Sequence, residues 1–589
     1  MSVGLLRNKR TVATASPTTA PRIRGNAARW AKVIVLALCS CNSDVPPVGG
    51  LLGHEATHPV ARREEYGGLI VLHLYGSYRE MGKQAADLLG ESARRAERLY
   101  RQRWQELVED LGTRGRLAGA FWPSLWSWAG WRYEQSGFFL ELDGVSKGLN
   151  MTRADAVRGF YGGIFGGGST AFVATGRASG GRGAVLGRNV DWSDDDGIRR
   201  PVVAYYQPTN GDLSFVTVGW VLSMLPIVGL NEAGLAISLN FFEADRLIAY
   251  GMPQIVYRRV LQLARSVDEA NAMLLEDGNH GGSAFVMLAD AEGNIGVLEC
   301  LPRRCARYDT GQEWIGLSNH ARTESMVPHD RGRTPDSVRR LHAIETAVQR
   351  HLGGIGPETA AQILRDRSNS PYANDSTVAN LRVLNSVVAQ PGAGTVWHST
   401  TVQPHAPFGE MVPFSIEAVR ERPASLAADT RLGEGGLERE RELVGHMRAA
   451  AALFDAGRVE EACAIWDRIA VASESSVEPY RLLWARGRAR WTLRRWGEAE
   501  SLLAQLDEEG APVEVRAYGL VALGMVRDRM GKREEALAAY GRAETYLREH
   551  GEHASTGLFA PLYRWIEEGR WQGQRGEMPK TPDLQSIPH

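Results

Sequence analysis

Apolar residues along this chain change their period several times, and each change marks an element. Leu69-Ile70-Val71-Leu72-His73-Leu74 is a nearly continuous apolar run of strand length. Beyond Gly76-Ser77-Tyr78-Arg79-Glu80-Met81-Gly82 the spacing becomes helical, Ala/Arg/Glu-rich, and continues to about Leu111. A second helical stretch gathers Phe121, Trp122, Trp126, Trp128 and Trp131, a set suited to a core or to the lining of an apolar pocket. Glu141–Asn150 follows, then a helix from Thr152, where Thr152 and Asp155 make a weak capping box. A glycine-rich run from Gly162 to Gly168 ends this helical block.

From Ser169 the texture is that of strands and tight turns. Ala171–Ala174, Ala184–Trp192 and Leu213–Trp220 read as strands, and Ile227–Leu230 with Leu235–Asn240 flank the turn Asn231–Gly234. Gln254–Leu275 is predicted helical, and Ala284–Leu288 with Ile295–Glu299 form a second hairpin around Asp290–Gly293. Helices and strands held in separate blocks predict a layered α+β architecture rather than alternating βαβ units. Residues 421–445 are polar and read as a linker. Beyond them Ala462, Ala499 and Ala536 recur at a spacing of 37 residues within similar Gly/Glu/Ala stretches. Helix pairs at this period resemble tetratricopeptide repeats, which predicts an all-α helical-repeat domain over 446–575 and a disordered tail over 576–589. Such an array presents a concave surface to a peptide or protein partner, the alternative being a plain helical bundle packed on the front domain.

Composition adds bounds to this picture. At 589 residues the chain needs two or more cores, and 43% hydrophobic with 23% charged residues is ordinary globular material. A net charge of −1 gives no overall basic field, so nucleic acid is not an expected partner. The five cysteines lack C-x-x-C spacing, which argues against a zinc site or a disulfide framework. Cys300 and Cys305 read as two buried thiols that an oxidising compartment could pair. Seven basic residues precede the first acidic one, Asp44, and an apolar run Val33–Leu38 leads into Leu38-Cys39-Ser40-Cys41. That order predicts a signal peptide over 1–41 and, because the last four residues resemble a lipobox, a lipid on Cys41. The expected product is a lipoprotein of a bacterial cell envelope, tethered through a linker over 42–63. The apolar run is short, which leaves a cytoplasmic tail as the alternative.

The candidate chemistry centres on Ser169. Gly167-Gly168-Ser169-Thr170-Ala171 half-matches a nucleophile elbow, but that motif needs a helix after the serine and a strand follows here. Cleavage between Gly168 and Ser169 fits better. It would give Ser169 a free α-amine with a pKa of about 8, able to act as base for its own hydroxyl. Flanking glycines tolerate the geometry such a cut requires.

Taken in order, Gly76–Gly82, Glu141–Gly148, Ser169–Phe172, Gly187–Trp192, Gly229–Phe241 and Leu317–His320 resemble the acyl-CoA:6-aminopenicillanate acyltransferase (isopenicillin N acyltransferase-like) family. The wider relatives of that family are bile-salt and penicillin V amidases. The resemblance spans roughly 64–420 and implies an αββα N-terminal-nucleophile sandwich that activates itself by autoproteolysis. It implies Ser169 as nucleophile, Arg188 beside it and Asp191 at the α-amine, with Arg188 and Asp191 as a polar pair. It further implies Asn240 as an oxyanion donor and Asn319 as orienting the amine. A late arginine falls on Arg340, with Arg339 as rival. Most members carry cysteine where this chain has Ser169, and Thr170 is a second hydroxyl in reach. The chemistry calls for no cofactor, and the expected substrate is a small acyl amide, ester or thioester.

Bland readings stand beside these. Arg188 and Asp191 could be a strand-end ion pair, and Asn240 or Asn319 could cap turns. Asp194-Asp195-Asp196 reads as a solvated loop, and His398 with His405 as strand-end residues without a third metal ligand. The rival from another class is a catalytically inactive scaffold acting through its helical repeats.

Overall fold

Residues of the front block assemble into two sheets, stacked face to face and covered by helices on both outer sides. One sheet has nine strands in the order β1 (Arg62–Tyr66), β2 (Leu69–Gly76), β5 (Pro201–Pro208), β6 (Phe215–Trp220), β7 (Val228–Asn231), β8 (Ala236–Phe241), β9 (Ala284–Ala289), β10 (Ile295–Leu301) and β11 (Arg304–Arg307). The other has six, in the order β12 (Trp314–Leu317), β3 (Gly168–Ala174), β4 (Val185–Asp191), β13 (Val383–Gln390), β14 (Thr395–Ser399) and β15 (Met411–Ser415). The β2–β5 pair is parallel and the other neighbours are antiparallel. The computed structural model describes residues 60–110, 137–163, 167–192 and 199–567, the last with short gaps of which 245–254, 369–376, 472–478 and 551–561 are the longest. Cys41 and the signal-like segment, the aromatics from Phe121 to Trp131, Asp194–Asp196, His405 and the tail 576–589 lie outside the described residues.

Three apolar layers hold this arrangement together. Val71, Val203, Val216 and Met287 from the nine-stranded sheet meet Ala171, Val173, Leu186 and Val387 from the six-stranded one. Helices α1 (Tyr78–Leu89), α2 (Glu91–Asp110), α3 (Gly137–Gly148), α4 (Arg153–Gly163), α5 (Ile255–Leu263) and α6 (Val267–Asp277) cover the outer face of the first sheet. Helices α7 (Pro335–Arg350) and α8 (Pro357–Leu364) cover the second, against Phe172, Val185 and Val388. This is an αββα sandwich.

The glycines in the first two motifs have a packing role. A Cβ on Gly82 would lie 2.0 Å from the Glu141 carbonyl oxygen, and one on Gly144 would lie 2.0 Å from that of Arg79. Helices α1 and α3 therefore touch backbone to backbone. Glu141, fully buried, ties this layer to the sheet: it accepts from Arg258 at 2.6 Å and from the Tyr206 hydroxyl at 2.8 Å. The Arg258 guanidinium lies 4.2 Å from the centre of the Tyr206 ring. Asp143 joins three elements by accepting from Arg79, Arg153 and Lys147. Thr152 caps α4, its Oγ1 accepting from the Asp155 amide at 3.1 Å.

Several sequence boundaries move. The single helix expected to reach Leu111 divides at Gly90, whose φ of 55° is left-handed and ends α1. The helix expected over 254–275 divides into α5 and α6 around Arg265 and Ser266. Cys300 and Cys305, read as buried thiols, form a disulfide. They face each other directly across the β10–β11 hairpin, a pairing that sequence separation does not show. No helix among the described residues is long and apolar enough to cross a membrane.

The C-terminal region is helical. Helix α9 (Gly436–Asp455) begins inside the stretch read as linker and pairs with α10 (Val459–Val471). Helix α11 (Pro479–Thr492) pairs with α12 (Trp496–Ala504), and α13 (Val513–Arg529) with α14 (Arg533–His550). Ala462, Ala499 and Ala536 are fully buried near the start of the second helix in each pair, where a small side chain permits close approach. Gly457, Arg494 and Gly531 occupy the turns with φ of 79°, 60° and 78°, repeating the 37-residue period in backbone conformation.

Candidate active site

Register fixes the site. Strands β3 and β4 pair so that Gly168 faces Asp191, Ser169 faces Val190 and Ala171 faces Arg188. Side chains alternate along a strand, so Ser169 and Arg188 point into the layer between the sheets with Ala171 and Leu186. Thr170 and Asp191 point the other way, toward α7 with Phe172 and Val185. Ser169 is 2% exposed, at the end of a strand that runs on without a break. A helix does not follow it, so the elbow of an α/β-hydrolase is excluded.

Arg188, the Gly168 carbonyl and Asn319 converge on Ser169. The Arg188 Nη2 donates to Ser169 Oγ at 2.8 Å, while Nη1 donates to the Ile227 carbonyl at 2.7 Å and to Ser238 Oγ at 3.2 Å. Ser169 Oγ in turn donates to the Gly168 carbonyl oxygen at 2.6 Å. The Ser169 amide donates to Asn319 Oδ1 at 2.8 Å, and Arg340 Nη2 donates to the same oxygen at 2.8 Å. Asn319 Nδ2 donates to the Phe241 carbonyl at 2.5 Å, and Asn240 Nδ2 donates to the Ser318 carbonyl at a long 3.4 Å. The ends of β8 and β12, from opposite sheets, are thereby laced together beside the nucleophile. Asn240 Oδ1 is buried and has no hydrogen-bond partner among the described residues.

Arg188 and Asp191 are three residues apart in a strand and so lie on opposite faces, yet the Asp191 charge still acts on Arg188. Arg340 stands beside Asp191 at 3.5 Å, with both side chains almost fully buried. Arg340 also donates from Nε to Thr170 Oγ1 at 3.2 Å, which engages that hydroxyl on the far side of the strand from Arg188. The rival Arg339 is partly exposed and faces Asp336. Burial pushes the Arg188 guanidinium down to about 9, and Asp191 acts in the opposite sense, so it remains a cation at neutral pH. His398 is fully buried next to the end of β14, with Nε2 facing Asn385 Oδ1 at 2.7 Å; burial takes it down to about 4.

Other participants escape a reading of the sequence. Ser238 and the Ile227 carbonyl orient Arg188, and Ser318, His320 and Ser337 surround Asn319. Ser337 carries a legible signal: it precedes Arg340 by three residues, which on a helix puts both on one face. Glu299 carries none. It is fully buried on β10 and accepts from the Arg322 and Thr323 amides at 2.8 and 2.9 Å, fixing the chain just beyond Asn319.

The αββα sandwich has the layering of N-terminal-nucleophile hydrolase folds, and Ser169 stands at the start of β3 within it. Residues 178–400 match the family model of acyl-coenzyme A:6-aminopenicillanic acid acyl-transferase. The match includes Arg188, Asp191, Asn240, Asn319 and Arg340 and begins after Ser169. Among solved structures, the chain is similar to the Caenorhabditis elegans ortholog of N-acylethanolamine-hydrolyzing acid amidase at 17% identity (38% of this chain and 93% of that one, TM-score 0.30). It is also similar to penicillin V acylase from Agrobacterium tumefaciens at 13% identity (42% and 87%, TM-score 0.29). A third is a mutant of the conjugated bile acid hydrolase from Clostridium perfringens, again at 13% identity (44% and 97%, TM-score 0.30).

Proposed function

We propose that the front domain cuts itself between Gly168 and Ser169 and then uses Ser169 to hydrolyse or transfer the acyl group of a small acyl amide. The observation that carries this reading is the double hold on Ser169, its Oγ on Arg188 and its amide on Asn319. In the uncut chain, Oγ attacks the Gly168 carbonyl carbon and its proton passes to the departing Ser169 nitrogen. The C–N bond breaks, leaving an ester that water resolves to a Gly168 carboxylate and a free Ser169 amine. The same oxygen then attacks the substrate carbonyl carbon, the Ser169 amine takes the Oγ proton and passes it to the substrate nitrogen, and the C–N bond breaks to release an amine and leave an acyl ester on Oγ. That ester passes to water or to an acceptor amine.

Serine is a weaker nucleophile than a thiolate, and Arg188 offsets part of that difference. A guanidinium at hydrogen-bond distance in a dry site favours the developing alkoxide. The long Asn240 bond leaves its amide hydrogen available to an incoming oxyanion, an interaction worth about 3–4 kcal/mol in comparable sites. The Trp192 ring adjoins Gly167 and packs 4.9 Å from the Trp220 ring, apolar surroundings that favour an apolar acyl group. The Cys300–Cys305 bridge accords with an exported protein, since disulfides persist in oxidising compartments.

Intact mass and gel electrophoresis of the purified full chain test the reading. Wild type should yield two fragments meeting at Gly168 and Ser169, and Ser169→Ala should stay whole. A wild-type chain that also stays whole after long incubation would leave the inactive-scaffold reading in place.

A further inference from the structure

All three polar residues that follow β12 touch a single hydroxyl. The Asn319 amide donates to Ser337 Oγ at 3.0 Å, Ser318 Oγ is 3.1 Å from it and His320 Nδ1 is 2.8 Å from it. Ser337 is 1% exposed and lies in the first turn of α7, whose N-cap is Thr334. A hydroxyl has one hydrogen to give and two lone pairs to receive with. His320 is held neutral, its pKa taken down to about 3 by burial, with Arg333, Arg322 and Arg340 adding to that effect. A neutral ring can receive at Nδ1, so the Ser337 hydrogen goes there. The Ser337 oxygen then receives from the Asn319 amide and from the Ser318 hydroxyl, and the group is saturated.

One turn further along α7, Arg340 holds the Asn319 side chain through Oδ1. The helix therefore grips Asn319 at two points, its main chain by Ser337 and its side chain by Arg340. Asn319 is free to swing about neither its backbone nor its χ angles while both contacts stand. Its Oδ1 is the group that receives the Ser169 amide, the nitrogen that becomes the α-amine after the cut.

We infer that Ser337 is a positioning residue which sets Asn319, and through it the Ser169 nitrogen, for self-cleavage and for the reaction that follows. The inference rests on Ser169 being the nucleophile. These hydrogen bonds of Ser337 reach neither Ser169 nor the scissile bond, so its effect passes through Asn319.

The test follows the rate of self-cleavage in the full chain by intact mass, alongside the thermal midpoint, for wild type, Ser337→Ala and Ser337→Thr. Misplacement of a reacting group by about 1 Å costs about a hundredfold in rate, so Ser337→Ala should slow cleavage at least about tenfold. Ser337→Thr keeps the hydroxyl and should cut within about threefold of wild type, even though its extra methyl in a filled site lowers the thermal midpoint. A Ser337→Ala chain that cuts at the wild-type rate overturns the inference, and so do rates that follow the midpoints rather than the hydroxyl. If the alanine variant does not fold, the threonine variant decides, and cleavage slowed beyond about tenfold in a folded Ser337→Thr counts against positioning by the hydroxyl. A wild-type chain that never cuts overturns the reading of Ser169, and the positioning role with it, which is a different result from a cutting wild type with an indifferent Ser337→Ala.

Discussion

Asp191 and Arg340 are a buried pair, and their fates are linked. Replacing Arg340 with Met leaves a carboxylate without its 3.5 Å cation, and breaking such a pair costs about 3–5 kcal/mol. Urea denaturation should show that loss for Arg340→Met and should show much of it recovered in the double variant Asp191→Asn/Arg340→Met. Recovery of stability should not restore cleavage, because Asn319 Oδ1 has still lost the Arg340 guanidinium that holds it. The identities of Ser169, Arg188, Asp191, Asn240, Asn319 and Arg340 are legible from the order of short motifs. Their pairing is not. Strand parity separates positions 188 and 191, and it is a rule that the sequence obeys without displaying, since the cation for Asp191 comes from a helix about 150 residues later.

Among elements, the α1–α3 contact is the least forgiving. Gly82→Ala or Gly144→Ala puts a methyl 2.0 Å from a backbone carbonyl oxygen, so the helices must separate, and overpacking of this kind costs about 1–3 kcal/mol or more. Chemical denaturation of either variant should show a midpoint below wild type. At the same junction burial would raise the Asp143 carboxyl, but its bonds from Arg153, Arg79 and Lys147 outweigh that and take it down to about 2. A carboxyl lowered by folding contributes stability above its unfolded pKa of about 3.9 and loses it as pH falls toward the folded value. Thermal midpoints should therefore fall between about pH 4 and pH 2, and less steeply in Asp143→Asn. In the C-terminal region Arg494 takes the left-handed turn that Gly457 and Gly531 take in the neighbouring pairs. An L-residue there costs about 1–2 kcal/mol, partly offset by the greater unfolded entropy of glycine, so Arg494→Gly should raise the denaturation midpoint. Strands β2, β3, β4 and β6 to β10 and helices α1, α2, α4, α5 and α6 are readable from the sequence pattern, and the 37-residue recurrence from alanines. The breaks at Gly90 and around Ser266 are not, because an apolar stripe continues across a turn that the backbone does not.

At the scale of the whole molecule, the αββα layering is implied by motif order and by the separation of helical and strand blocks. The closing strands β13, β14 and β15 are not legible in the same way, for they complete the second sheet at a distance from the motifs. The proposed cut falls at Gly168–Ser169, inside β3, while β1, β2 and the helices α1 to α4 lie before it. Strand β2 is hydrogen-bonded to β5 along its whole length, and β5 lies after the cut. The nine-stranded layer thus needs chain from both sides of the scissile bond. Self-cleavage would turn a fold made by one chain into a partnership of two that neither can rebuild alone. Uncut Ser169→Ala should refold from urea with a yield independent of dilution, whereas the processed enzyme should refold less as it is diluted. Processing would then act as a one-way door: the protein folds once, while still whole, and a mature molecule that unfolds in a dilute setting is lost.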